Sequence, residues 1–145
     1  METPEGAFLM LLVDSEGPVA DGTASWDHLH ARDRWRRPDG ADDDQAHLMV
    51  QCMESWFLAD RAALTDYFGQ GFLINSLPHR ADVEGIPKAD VERGLARATV
   101  RTRQGRYHKT RHGFHLLARI DPEQVRRASQ HAHSLFEALE RIAIA

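Results

Sequence analysis

A chain of 145 residues with 42% hydrophobic side chains is long enough for one domain with an ordinary core, which excludes a linker protein or a disordered tail. Its single cysteine, Cys52, excludes an internal disulfide and points to a reducing cytoplasm, or to a small side chain in the core. The formal net charge of -4 conceals an asymmetry: residues 1–66 hold 14 acids against 5 arginines, and residues 67–145 hold 13 basic residues against 8 acids.

In chain order, the first apolar run is Phe8–Val13. It is too short to span a bilayer, and the residues ahead of it are acidic where a secretory signal would be basic, so no membrane partner is expected. Continuous apolar character predicts a strand buried on both faces, as in parallel α/β sheets; Gly17, Pro18 and Gly22 stop it. Ser25–Trp35 reads as a short helix capped by Ser25, with Trp26 and Leu29 as its apolar positions, and Arg36–Asp44 reads as a loop. His47–Cys52 is a second run of strand length. It flows into a helical pattern through Met53, Trp56, Phe57, Leu64, Tyr67 and Phe68, closed by Gly69, with a break where Asp60 caps a second piece.

Ile86–Thr99 predicts a helix with Pro87 near its start and Val91, Leu95 and Ala98 on one face; Thr102–Gly113 is a basic connection. Asp121, Pro122 and Gln124 mark another helix start. The last helix carries Ala132, Leu135, Phe136, Leu139 and Ile142 on one stripe. Two strands make a weak sheet, so further strands are expected near Phe72–Leu77 or Phe114–Ile120. The fold class is α/β, a single domain over 1–145 with an open, mainly parallel sheet flanked by helices.

Asp14 and Glu16 end the first strand two residues apart, a spacing that points both side chains the same way from its carboxyl end, where open α/β sheets bind ligands. Adjacent carboxylates repel unless they share a proton or a cation, and magnesium suits such a pair because it completes its shell with water and phosphate oxygens. Glu54 follows the second strand at the start of a helix, so a parallel sheet brings it to the same edge as a third ligand. The alternatives are a solvated, helix-capping turn at Asp14–Glu16 and a carboxylate favoured by the helix dipole at Glu54.

From Arg93 to Arg119 there are eight basic residues and no acid. Arg103, Arg106, Lys109 and Arg111, interleaved with Tyr107 and His112, predict a loop that binds a nucleic-acid backbone, with Tyr107 free to stack on a base. Lys109 would meet the reacting phosphate as a point charge and Arg111 would grip it with two donors. The alternatives are a solvated basic loop and mutual neutralisation of the acidic and basic halves. Nine histidines raise zinc, but one cysteine without a Cys-x-x-Cys pattern argues against it.

The segments LLVDSEGPV, W-x-H-L-x-x-R-D, DDQAHLMVQCMESWFLADRAAL, FGQGF, IPKADVERGL, GRYHKTRHGFHLL and IDPEQVRRASQHAHSLFEAL together resemble the bacterial domain of unknown function family 4276, from about Phe8 to the end. That resemblance implies a Toprim-like fold, a metal-dependent α/β module found in primases, topoisomerases and nucleases, and a setting beside an ATPase partner in anti-phage defence. Asp14-Ser15-Glu16-Gly17 matches the Toprim Asp-x-Asp with Glu in second place. The Toprim pattern also implies an earlier strand with a Glu-Gly turn whose glutamate acts as acid or base; Glu5 precedes the Asp14 strand itself and does not fill that place. The expectation is therefore a magnesium- or manganese-dependent nuclease-type subunit of the cytoplasm, catalytic through Asp14, Glu16, Glu54 and Lys109, and shortened at its amino terminus or completed by a partner. The other reading is a non-catalytic subunit that docks on the ATPase. Homo-oligomerisation is compatible with the sequence and not specified by it.

Overall fold

A computed structural model describes residues 6–144; Glu5 lies outside the described residues. The two apolar runs form β1 (Leu11–Asp14) and β2 (Ala46–Met49), which pair in parallel with Leu11 opposite Ala46 and Asp14 opposite Met49. The connection between them carries α1 (Ser25–Asp33), as a parallel crossover requires. Trp26 and Leu29 of α1 pack with Leu48 and Val50. Ser25 opens α1 without capping it; Ala24 is the cap residue.

Every residue of β2 is buried, whereas Leu12 of β1 is 38% exposed, and Phe8 and Leu9 ahead of it are exposed too. The expectation of a strand buried on both faces, made for Phe8–Val13, fails for β1, where Leu11 and Val13 join the cluster around Trp26 and the Leu12 side stays open; the fully buried strand is β2.

The broader sheet expected from the sequence is not there: among the described residues it has two strands. Ile74–Ser76 and Val83–Gly85 are 3-10 turns, and Phe114–Leu117 is a helix. The apolar residues of the second segment serve helical packing, because Leu116 and Ile120, four apart, are the buried ones while Phe114 faces outward.

The rest of the chain is a helical layer. α2 (Met53–Leu58) and α3 (Arg61–Phe68) are separated at Asp60, whose carboxylate accepts from the Ala63 N–H at 3.2 Å and the Asp121 N–H at 2.8 Å. One acid therefore caps α3 and ties it to the backbone at Asp121. α4 (Lys88–Thr99) buries Val91, Leu95 and Ala98 as its periodicity predicts. It approaches Pro78 so closely that a Cβ on Gly94 would lie 2.6 Å from the proline Cδ. α5 (Phe114–Leu117), α6 (Pro122–Ala128) and α7 (Gln130–Ile144) complete the layer. Asp121 caps α6 by accepting from the Glu123 N–H, and α7 seats Ala132, Leu135 and Ala138 in the core while Leu139 is exposed. Phe57, Leu64, Leu95 and Leu116 lie at the centre of this larger core. No described helix is long and apolar enough to cross a membrane.

Candidate functional site

Strand pairing continues past the strand ends. The Ser15 N–H donates to the Met49 carbonyl at 3.0 Å and the Glu16 N–H to the Gln51 carbonyl at 2.8 Å, so the Asp14–Glu16 turn is fastened beside the start of α2. Ser15 points inward and is buried, its hydroxyl donating to the Gly17 carbonyl at 2.7 Å. From the other side α1 holds the same turn. His28 Nε2 lies 2.8 Å from the Ser15 carbonyl, and the Arg32 guanidinium donates to the Asp14 carbonyl.

Asp14 projects from the carboxyl end of β1. Its Oδ1 accepts from the Met53 N–H, the first of α2, at 2.8 Å, and its Oδ2 lies 3.2 Å from Lys109 Nζ. Glu54, only 6% exposed, accepts from the Tyr107 hydroxyl at 3.2 Å, and its Oε1 is 4.0 Å from the same Lys109 Nζ. Parallel pairing therefore does bring Asp14 and Glu54 to one edge, and a lysine sits between them.

Lys109 opens a π-helical turn, Lys109–Gly113, that runs straight into α5. Such turns displace backbone locally and are frequent at functional sites. Gly113 makes the fit: a Cβ there would stand 2.9 Å from Met53 Cε and 3.2 Å from the Tyr107 hydroxyl oxygen. Burial alone would lower the Lys109 pKa, but the hydrogen bond to Asp14 and the charge of Glu54 outweigh it and leave it raised. Burial, together with Glu54, pushes the Tyr107 hydroxyl far up, so it remains a donor.

Glu16 does not join this pair. Its φ of 67° turns the backbone into the left-handed region, which breaks the two-residue alternation that an extended strand would keep. Its carboxylate pairs instead with the ammonium of Lys88, the first residue of α4, whose backbone N–H donates to Gln51 Oε1 at 3.0 Å. The hydrogen bond that Lys88 donates to Glu16 raises the Lys88 pKa. Among the described residues no group of three or more His, Cys, Asp or Glu side chains is arranged to hold a metal ion. Asp14 and Glu54, already converging on one ammonium, fit a single hard cation; a three-carboxylate set is not assembled.

Sequence reasoning missed Lys88, although a signal was present. The chain has two lysines among its 18 basic residues, and each one meets a carboxylate of the Asp14-Ser15-Glu16 turn.

Arg103, Arg106 and Arg111 are exposed, and among the described residues none is paired with a carboxylate. Tyr107 and His112 stand differently. The Tyr107 ring packs edge-on against Phe57 with its hydroxyl held by Glu54, so it walls the site instead of offering a free stacking face. His112 is 1% exposed between Tyr67, Phe68 and Tyr107, and its Nδ1 accepts from the His108 N–H at 2.9 Å. Burial, assisted by Arg111, lowers its pKa, which keeps this interior ring neutral. Cys52 is buried beside Ser55, and burial pushes its thiol up, as for an inert core side chain.

A search of the curated proteins and of the solved structures gives no match. A family model, the domain of unknown function DUF4276, matches residues 1–140, and the chain belongs to that family.

Proposed function

We propose that the protein is a magnesium- or manganese-dependent phosphodiester-cleaving subunit of the Toprim-like kind, acting on nucleic acid with an ATPase partner in the bacterial cytoplasm. The observation that carries the reading is the convergence of Asp14 and Glu54 on Lys109 at the carboxyl end of a parallel strand pair.

Asp14 and Glu54 would hold the ion, each with an oxygen turned to the position the ammonium now fills. Bound there, the ion would supply a polarised water and positive charge for the phosphate. Asp14 is fixed by the Met53 N–H and Glu54 by Tyr107, so both carboxylates are oriented toward the site before a cation arrives. Lys109, with its side chain 56% exposed, is free to turn from the carboxylates to a phosphate oxygen as the ion takes its place. The exposed Arg103, Arg106 and Arg111 would track the phosphate backbone beyond the site.

The test is metal-dependent cleavage of single- and double-stranded DNA and RNA by the purified chain. Asp14→Ala should lower it by at least about 100-fold; full activity in that variant would end the assignment. A second reading, a non-catalytic subunit docked on an ATPase, is favoured by the same lysine, which neutralises the carboxylates with no metal. Stable co-purification with the ATPase, without cleavage or metal binding, would select it.

A further inference from the structure

The corner between α2 and α3 faces α6 across a cleft of about 560 Å³, within the usual range for small-molecule sites. Its lining carries three guanidinium groups, Arg61, Arg80 and Arg127, with His79 beside them. Among the described residues none of these three guanidinium groups is paired with a carboxylate. The one acid in the lining, Asp60, is occupied, with one oxygen accepting from the Ala63 N–H and the other from the Asp121 N–H.

Two of the guanidinium groups are held in place. Arg61 donates to the Pro78 carbonyl; Arg80 donates to the Gly85 carbonyl at 3.3 Å and lies over Gly85, where a Cβ would come within 2.6 Å of its Cζ. The floor is apolar, with Leu58 and Val83 both buried. Unpaired cations gathered over an apolar floor repel one another unless an anion joins them, and guanidinium groups match phosphate through paired donors.

We propose that this cleft binds a phosphate monoester with a flat apolar body, as in a nucleoside monophosphate or the phosphorylated end of a strand. The cleft shares no lining residue with the strand-end site, since Asp14, Glu54 and Lys109 are all absent from its wall. Arg80 and Arg127 are the exposed guanidinium groups of the set and would grip the phosphate, and the Leu58–Val83 floor would take the base.

Calorimetric titration of the full chain with AMP, adenosine, inorganic phosphate and a 5′-phosphorylated trinucleotide tests this. AMP should bind saturably, adenosine at least about tenfold more weakly, and inorganic phosphate more weakly than AMP because it leaves the floor empty. Arg80→Gln and Arg127→Gln, each checked for unchanged thermal unfolding, should each weaken AMP about tenfold, while Asp14→Ala leaves it unchanged. Tighter binding of the trinucleotide than of AMP would assign the phosphate to a strand end; equal or weaker binding would assign it to a free nucleotide. No saturable AMP binding, or wild-type affinity in the doubly substituted Arg80→Gln/Arg127→Gln chain, would overturn the proposal. Because Asp14→Ala lowers cleavage in the functional reading and spares AMP here, either idea can fail alone.

Discussion

Two of the clusters of carboxylate and basic side chains in this fold are built on different plans. At the Val83–Gly85 turn, Glu84 is saturated. Its Oε2 accepts from the Ser129 hydroxyl at 2.6 Å and the His131 N–H at 2.8 Å, and its Oε1 lies 2.9 Å from His131 Nδ1. Ser129 in turn accepts from the Ala132 N–H at 3.1 Å, so the cluster clamps the start of α7 to the turn. At the strand ends, Asp14 and Glu54 share one partly exposed lysine at 3.2 and 4.0 Å. A carboxylate whose acceptor sites are filled by the fold is mortar; a pair held in place but facing one displaceable cation is available for chemistry.

Substitutions can break or sharpen that contrast. Lys109→Met should cut cleavage by about 10- to 100-fold and tighten Mn²⁺ binding, because no ammonium then competes for the carboxylates; parallel activity and calorimetric measurements check the two opposite signs. Glu84→Ala should do the reverse. With its donors left unpaired, the chain should lose about 2 kcal/mol, visible as a melting temperature lower by roughly 4–8 °C, while cleavage per folded molecule holds.

Acid should probe the same clamp. Burial raises the Glu84 carboxyl, but the hydrogen bonds from His131 and Ser129 outweigh it and hold it below its ordinary value of 4.5. A carboxyl depressed in the folded state stabilises above its unfolded pKa, and that stability is lost as pH falls through the folded pKa. Urea midpoints should therefore fall as the pH drops below 4.5, and Glu84→Gln should flatten that part of the profile. The smallest effect belongs to Glu16→Gln, which should leave cleavage within about threefold, since Glu16 pairs with Lys88 apart from the carboxylate pair.

Much of the helical layer was legible because local rules governed it. Asp60 and Asp121 cap helices where their spacing places them, and Val91, Leu95 and Ala98 form the buried face of α4. The convergence of Asp14 and Glu54 was legible as well, since parallel strands deliver their carboxyl ends to one edge. What failed depended on contacts distant in sequence. Phe72–Leu77 and Phe114–Ile120 carry enough apolar residues for strands, yet the packing of Leu77, Leu116 and Ile120 into one core selected helical turns. Glu16 was grouped with Asp14 by strand alternation, which its left-handed backbone ends. Lys88 lies 72 residues from Glu16, and only folding brings them together. Tyr107 and His112 sit in a basic stretch, and nothing in local sequence marks them as interior walls.

The central claim is that Asp14 and Glu54 form a cation site that Lys109 fills when no metal is bound. Titration of the chain with Mn²⁺, followed by calorimetry for wild type and Asp14→Asn, measures it directly. One ion per chain for wild type, with at least about tenfold weaker binding by the variant, is the predicted result; no saturable binding by wild type, or equal binding by the two proteins, would contradict it.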